Sequence, residues 1–232
     1  MISVVIPSLT LGASIDAAVA RMRPAVEAGL VSAIIVAVDA QAAADVKRDA
    51  QVLVVTCLVV TSQTGRGAAL AEGAALAATP WLLFLHADTA LQPGWIDEAR
   101  AFIDAQALSP DQQRAAAFRF KLDDAGLRPR VLEVLVRLRC QVFKLPYGDQ
   151  GLLISRRLYD EVGGYQRLPL MEDVAIIRQL GRRRVQILNA AAVTSAVRYQ
   201  HDGYIRRSVR NVTCLLLYAL GVPVRIIQRI YG

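Results

Sequence analysis

The 232-residue sequence predicts an α/β fold: a mostly parallel central sheet flanked by helices and followed by a helical C-terminal tail. Three observations carry this. Short β-branched or apolar runs alternate with alanine-rich segments of helical spacing, the runs are apolar throughout instead of alternating, and the chain ends in amphipathic helical sequence. Alternating strand and helix signals read as βαβ units. Strands without a polar face are buried on both sides, as in a parallel sheet covered by helices.

The elements follow in order. "ISVVIPS" (2–8), "SAIIVAVDA" (32–40), "VLVVTCLVV" (52–60) and "WLLFLHAD" (81–88) are the first four strands, separated by the helical segments "SIDAAVARMRPAVEAG" and "RGAALAEGAALAA". Beyond Ala107, "AAAFRFKL" reads as a strand, "RPRVLEVLVRLRCQVFKL" as a basic amphipathic helix and "GLLIS" as a strand. "RRLYDEVGGY" and "EDVAIIRQLGRR" are helices stopped by glycine, "RRVQILNAAAV" is a strand, and the tail from His201 is helical with a break near Gly221 and Pro223. With no linker or repeat, one domain is expected over 1–232, with halves at about 1–106 and 107–232.

Composition narrows the function classes. Mean hydropathy is +0.36, yet the longest apolar runs (52–60 and 212–224) fall short of the roughly 20 residues of a spanning helix. The start "MISVVIPSL" lacks the pattern of a secretory signal, so a cytoplasmic location is expected. Cys57, Cys140 and Cys214 each sit in apolar surroundings, without metal or disulfide spacing, and read as buried thiols. Residues 1–120 hold 8 Lys+Arg against 11 Asp+Glu, and residues 121–232 hold 19 against 9, so the second half carries the positive excess. Such a surface attracts phosphates or anionic membrane. The arginines match no nucleic-acid motif, and no nucleic-acid partner is expected. A solvated basic face is the plainer reading.

Ligands of parallel α/β sheets bind at the carboxyl ends of the strands. Asp39 ends the second run and Asp88 the fourth, which places both carboxylates on one rim. "HADT" offers Asp88 as an oxygen ligand and His86 as a possible nitrogen ligand for Mg²⁺ or Mn²⁺, which are usually held by one or two carboxylates plus phosphate oxygens. An Asp at such a place is equally a turn former or helix cap. "TGRGAAL" sets Arg66 between glycines ahead of a helix, either to hold a phosphate or as an ordinary helix start. "LPLMEDV" puts Glu172 and Asp173 at a helix head, where acids complement the dipole or serve as a general base.

Taken together these segments resemble family 2 glycosyltransferases of the Rossmann-like GT-A fold. "ISVVIPS", with Pro7, resembles the opening strand, "IIVAVD" the strand ending in a nucleotide-contacting Asp, and "LLFLHADTALQPGW" the metal-binding segment. "HADT", "PYGDQG", "LPLMEDV" and "RNVTCLLLYALGV" more narrowly resemble the bacterial radical-SAM/selenodomain-associated, or arsenosugar-biosynthesis, branch.

The resemblance implies an inverting, metal-dependent transfer of a sugar from a nucleotide-diphosphate sugar, UDP favoured, to an acceptor hydroxyl. It gives Asp88 the metal, with His86 assisting or lining the site. Asp39 takes the base, Arg66 the phosphate side, Asp173 or Glu172 the acceptor proton, and Asp149 and Gln150 the acceptor pocket. The basic tail suits an anionic membrane surface and a lipid-linked acceptor, placing the enzyme peripherally on the inner membrane face. Thr10, Leu11, "AQAAAD", Leu70 and Ala71 depart from the family pattern on the donor side. A non-catalytic nucleotide- or membrane-binding module is therefore the alternative.

Overall fold

The computed structural model describes residues 1–8, 13–39, 56–62, 65–109 and 113–231. Its centre is one eight-stranded sheet of order β3-β2-β1-β4-β7-β6-β8-β5. Four strands from the first half run parallel: β1 (Ile2–Ser8), β2 (Val31–Asp39), β3 (Thr56–Ser62) and β4 (Trp81–Phe84). β1, β2 and β4 are buried on both faces, as the unbroken apolar runs require. Within β1, Val4 joins the cluster that includes Met22, Trp95 and Phe102, while Val5 joins the opposite cluster of Leu70, Tyr159 and Ile176.

Helices α1 (Ala13–Arg21) and α2 (Arg23–Glu27) supply the first cluster, and α3 (Arg66–Leu76) the second. Gly73 lets α3 lie close to the sheet, since a Cβ there would stand 2.6 Å from Val5 Cγ1. The second half inserts β6 (Ala115–Leu122), β7 (Leu152–Ser155) and β8 (Val185–Thr194). β7 is antiparallel to both β4 and β6, whereas β6 and β8 are parallel. Between them lie α5 (Leu127–Phe143), α6 (Arg156–Glu161) and α7 (Glu172–Leu180).

Several expectations need correction. β4 stops at Phe84, so His86 and Asp88 belong to a turn and not to the strand. That turn leads into β5 (Thr89–Leu91), which pairs with β8, and then into α4 (Trp95–Ala107). The sequence reading assigns neither. β5 has three residues and owes its existence to a distant partner strand, while α4 buries Trp95, Ala99, Phe102 and Gln106 at helical spacing. The proposed strand start at 52–55 lies outside the described residues. The tail forms α8 (Val197–Asp202), α9 (Tyr204–Ala219) and α10 (Val224–Tyr231), broken at Gly203 as well as at Gly221 and Pro223. Cys140 and Cys214 are free and buried. No described helix is long and apolar enough to cross a membrane.

Candidate active site

The glycines flanking Arg66 serve packing. The Gly67 N–H donates to Leu168 O (3.1 Å), and a Cβ at Gly67 would meet the carbonyl oxygens of Gln166 at 2.3 Å and Leu168 at 2.6 Å. Only a residue without a side chain admits this backbone, which leads directly into α7. Gly67→Ala is therefore expected to destabilise the fold by about 1–3 kcal/mol, as overpacking does. Urea unfolding checks it, and an unchanged midpoint would refute the close approach.

Arg66 points from the head of α3 to the head of α7, where its Nε donates to Glu172 Oε1. Glu172 is wholly buried, and its Oε2 has no hydrogen-bond partner among the described residues. Burial raises its carboxyl above the ordinary range and the Arg66 guanidinium pulls it back. For Arg66, burial opposes the charge, but the Glu172 and Asp173 carboxylates, with Tyr231, together more than offset this and its pKa is raised. Glu172 is thus a buried partner of Arg66 and is not among the described residues that line the cleft.

Asp173, the next residue, does line the cleft. Successive helix residues point about 100° apart, so neighbours in sequence face different surroundings. Met171 begins the turn in the left-handed region (φ 66°), an uncommon conformation for a side-chain-bearing residue. Asp173 Oδ2 accepts from the Gly148 N–H (2.8 Å) and Oδ1 from the Val174 N–H (2.8 Å), so both oxygens are oriented.

Gly148 opens the 3-10 turn Gly148–Gln150. A Cβ there would stand 2.7 Å from His86 Nε2 and 3.4 Å from Asp173 Oδ2, so the three residues meet at one point. His86 is half-buried. Burial, with Arg66 and Arg198 nearby, holds its pKa well below the usual value, so the imidazole is neutral. Asp88 is exposed at the rim, and its carbonyl accepts from the Ser195 N–H (3.3 Å).

Asp149 completes the acidic set. Its carboxyl is pushed up to about 6 by burial, with Arg139 pulling down and Asp173 and Asp88 pushing up. Its Oδ1 is buried without a hydrogen-bond partner among the described residues. An unfolded Asp titrates near 3.9, so the folded chain loses stability as pH rises from about 4 to 6. In metal-free protein Asp149→Asn is expected to raise the melting temperature above pH 6 and to leave it unchanged near pH 4. Melts across that range decide it: an equal offset at both ends would exclude the carboxyl as the source.

Gln150 lies beneath the cleft. Its Nε2 donates to Phe118 O (2.8 Å), and its Oε1 accepts from Arg139 (3.2 Å) and the Tyr147 N–H (3.3 Å). It anchors the turn and is not among the described residues that line the cleft. Arg139 also stacks on the Tyr147 ring at 3.4 Å. Pro7 is buried in β1 opposite Ala37 and is not a cleft residue, and Asp39 pairs with Ser62 through the backbone. The Asp39 side chain lies outside the described residues.

The remaining cleft wall comes from residues that the sequence reading leaves unassigned: Tyr147, Arg198, Tyr199, Arg207, Asn211 and Tyr231. Arg198 and Arg207 were visible only as part of the tail's charge. The cleft measures about 110 Å³, and the molecule has a larger groove, about 1110 Å³, beside α5. Among the described residues Glu133 is that groove's only acid, whereas the smaller cleft brings together His86, Asp88, Asp149 and Asp173 and is the better candidate for chemistry.

A divalent cation fits these residues. Asp149 offers an orphaned oxygen, Asp88 and Asp173 add negative charge, and His86 is in its ligating, neutral form. No group of three or more metal-ligating side chains occurs among the described residues.

A mannosyltransferase from Pyrobaculum calidifontis, solved with GDP-mannose and Mn²⁺, matches at TM-score 0.63 and 15% identity over 92% of this chain. The chain spans 60% of that protein's length, less than two thirds. TarS 1–349 of S. aureus matches at TM-score 0.58 and 15% identity, covering 99% of this chain and 69% of that one. Glucosyl-3-phosphoglycerate synthase from Mycobacterium tuberculosis, solved with Mn²⁺, UDP-glucose and phosphoglyceric acid, matches at TM-score 0.56 and 19% identity, covering 96% and 80%. No curated protein matches the chain. At these identities the likeness shows the GT-A fold alone. The model of glycosyl transferase family 2 matches residues 3–148, well over half of the sequence, and on that ground the chain belongs to this family.

Proposed function

We propose that the chain is an inverting glycosyltransferase that moves a sugar from a nucleotide-diphosphate sugar to an acceptor hydroxyl, with Asp173 as base. The observation that carries this reading is the meeting of His86, Asp173 and the turn that bears Asp149 at Gly148. Asp88, assisted by His86, would hold Mg²⁺ or Mn²⁺, which supplies positive charge against the diphosphate when bound. Asp173 takes the proton from the acceptor hydroxyl. The acceptor oxygen forms a bond to the anomeric carbon as the opposite bond to the diphosphate breaks, inverting that carbon in one displacement.

Arg66, Arg198 and Asp149 line the cleft; the two arginines would offer charge to the phosphates, and Asp149 would face the acceptor. Asp39, at the end of β2, would accept from a base N–H, for which a uracil is favoured. The fold relatives solved with UDP-glucose or GDP-mannose make both donors worth comparing. The "HADT" and "PYGDQG" segments support the arsenosugar-biosynthesis branch, and the single sheet shared by both halves supports one domain.

The tail supports a second element of the reading, contact with an anionic membrane surface and a lipid-linked acceptor. Cys214 and Ile227 pack inward, but Ile205, Val209, Val212 and Leu216 on α9, with Leu220 at its end, form an exposed row.

Calorimetry with UDP and GDP, with and without Mn²⁺, tests the donor site. Asp88→Asn is expected to weaken Mn²⁺-dependent nucleotide binding by at least about tenfold without changing the melting temperature. Unchanged affinity would remove Asp88 from the metal. Nucleotide binding without turnover on any acceptor would select the non-catalytic module instead.

A further inference from the structure

Helix α5 has three faces. Pro129, Val136 and Cys140 are buried. At 3.6 residues per turn, Leu127, Val131, Val134, Leu135, Leu138 and Val142 fall in one row about 100° wide, and all are exposed, from 50% for Leu138 to 84% for Leu127. Such a row in contact with water marks a surface that something covers.

The third face, roughly 110° around the helix from the row, carries Arg130 and Arg137 into the groove of about 1110 Å³, which Lys144, just past the helix end, also lines. The far wall is made by β6, β8 and the turn at 182–183. Arg130 and Glu133 neutralise each other. Arg119 and Arg182 donate only to the carbonyls of Asn189 and Val142. The side chains of Arg114, Lys121, Arg137, Lys144 and Arg183 line the groove and make no hydrogen bond or ion pair among the described residues. So dense a set of unpaired cations calls for an anionic partner.

We propose that this face of α5 docks on an anionic phospholipid surface, the apolar row entering the headgroup–acyl boundary and the groove receiving lipid phosphates. A second copy of the chain would cover the row but bring the same cations face to face. A soluble polyanion would satisfy the groove and leave the row in water. An anionic bilayer meets both, with apolar depth beside a layer of negative headgroups. This surface is separate from α9 and α10 and does not depend on the sugar-transfer reading.

Co-sedimentation of the full chain with vesicles tests it. The protein is expected to pellet with phosphatidylglycerol–phosphatidylcholine vesicles, not with pure phosphatidylcholine, and to be released at roughly 0.5 M salt. Two double variants probe the face: Leu138→Gln with Val142→Gln, and Arg137→Glu with Arg183→Glu. Each is expected to lower the partition coefficient at least about tenfold with an unchanged melting temperature, the positions being exposed. Absence of pelleting with anionic vesicles would overturn the proposal. So would unchanged binding of both α5 variants while Leu216→Gln with Leu220→Gln on α9 abolishes it. Loss confined to the charge variant, matched by its loss of inorganic tripolyphosphate binding in calorimetry, would assign the groove to a soluble polyanion and overturn the lipid.

Discussion

Asp173→Asn is expected to lower sugar-transfer turnover by at least about 10²-fold while leaving donor affinity intact. The carboxylate reaches the cleft with Oδ2 held by the Gly148 N–H and Oδ1 by the Val174 N–H. The amide fills the same space and keeps an oxygen for one of those bonds, but it cannot take a proton from an attacking hydroxyl. Release of UDP or GDP from a panel of donors, measured beside calorimetric donor affinity, separates the two effects. Turnover within a few-fold of the parent would assign the base elsewhere, with Asp149 next in line because its carboxyl sits at about 6 in the same cleft. Glu172→Gln is a poor substitute for this test, since Glu172 has no access to the cleft and its change acts through Arg66.

The largest effect on stability is expected from Arg66→Ala, at about 3 kcal/mol near neutral pH. Removing one partner of a buried ion pair leaves the other charged and uncompensated, a loss in the range 3–5 kcal/mol. The Arg66 side chain is 32% exposed, which places the estimate at the low end. For a chain of this size that is a fall of roughly 6–12 °C in the unfolding midpoint.

The sign of its pH dependence follows from Glu172. Burial already raises that carboxyl, and without Arg66 to pull it down it rises further. The unfolded chain ionises Glu near 4.3, so the folded variant loses stability as pH climbs above that value. The defect should be fully developed at pH 7–8 and shrink toward pH 4. Melts of both proteins over that interval check it, and a defect of constant size would mean that lost packing, not the stranded carboxylate, is responsible.

Sequence periodicity alone determined the layers. Apolar runs with no polar face became β1 and β2, because burial on both faces leaves an unbroken hydrophobic signature, and "AAAFRFKL", in which Arg119 and Lys121 alternate with buried residues, became β6 with those same bounds. Residue chemistry also marked His86, Asp88 and Asp173, and the family resemblance Asp149, before their neighbours were known, and all four share one cleft.

Contacts between distant segments decided the rest. β5 exists because β8 pairs with it. Glu172 and Asp173 are indistinguishable as a dipeptide, and only Arg66, 106 positions away, draws one into the interior while the Gly148 N–H holds the other at the cleft. Gln150 reads as a ligand-facing amide until Phe118 and Arg139 are seen to occupy it. The tail reads as a charged surface, yet Ile227 packs inward and the fold-back brings Arg198, Arg207 and Tyr231 to the cleft wall. Local sequence sets the period of burial, and so which residues face inward. Which interior they meet is fixed by long-range packing, whose free energy belongs to pairs of segments and is written in neither one alone.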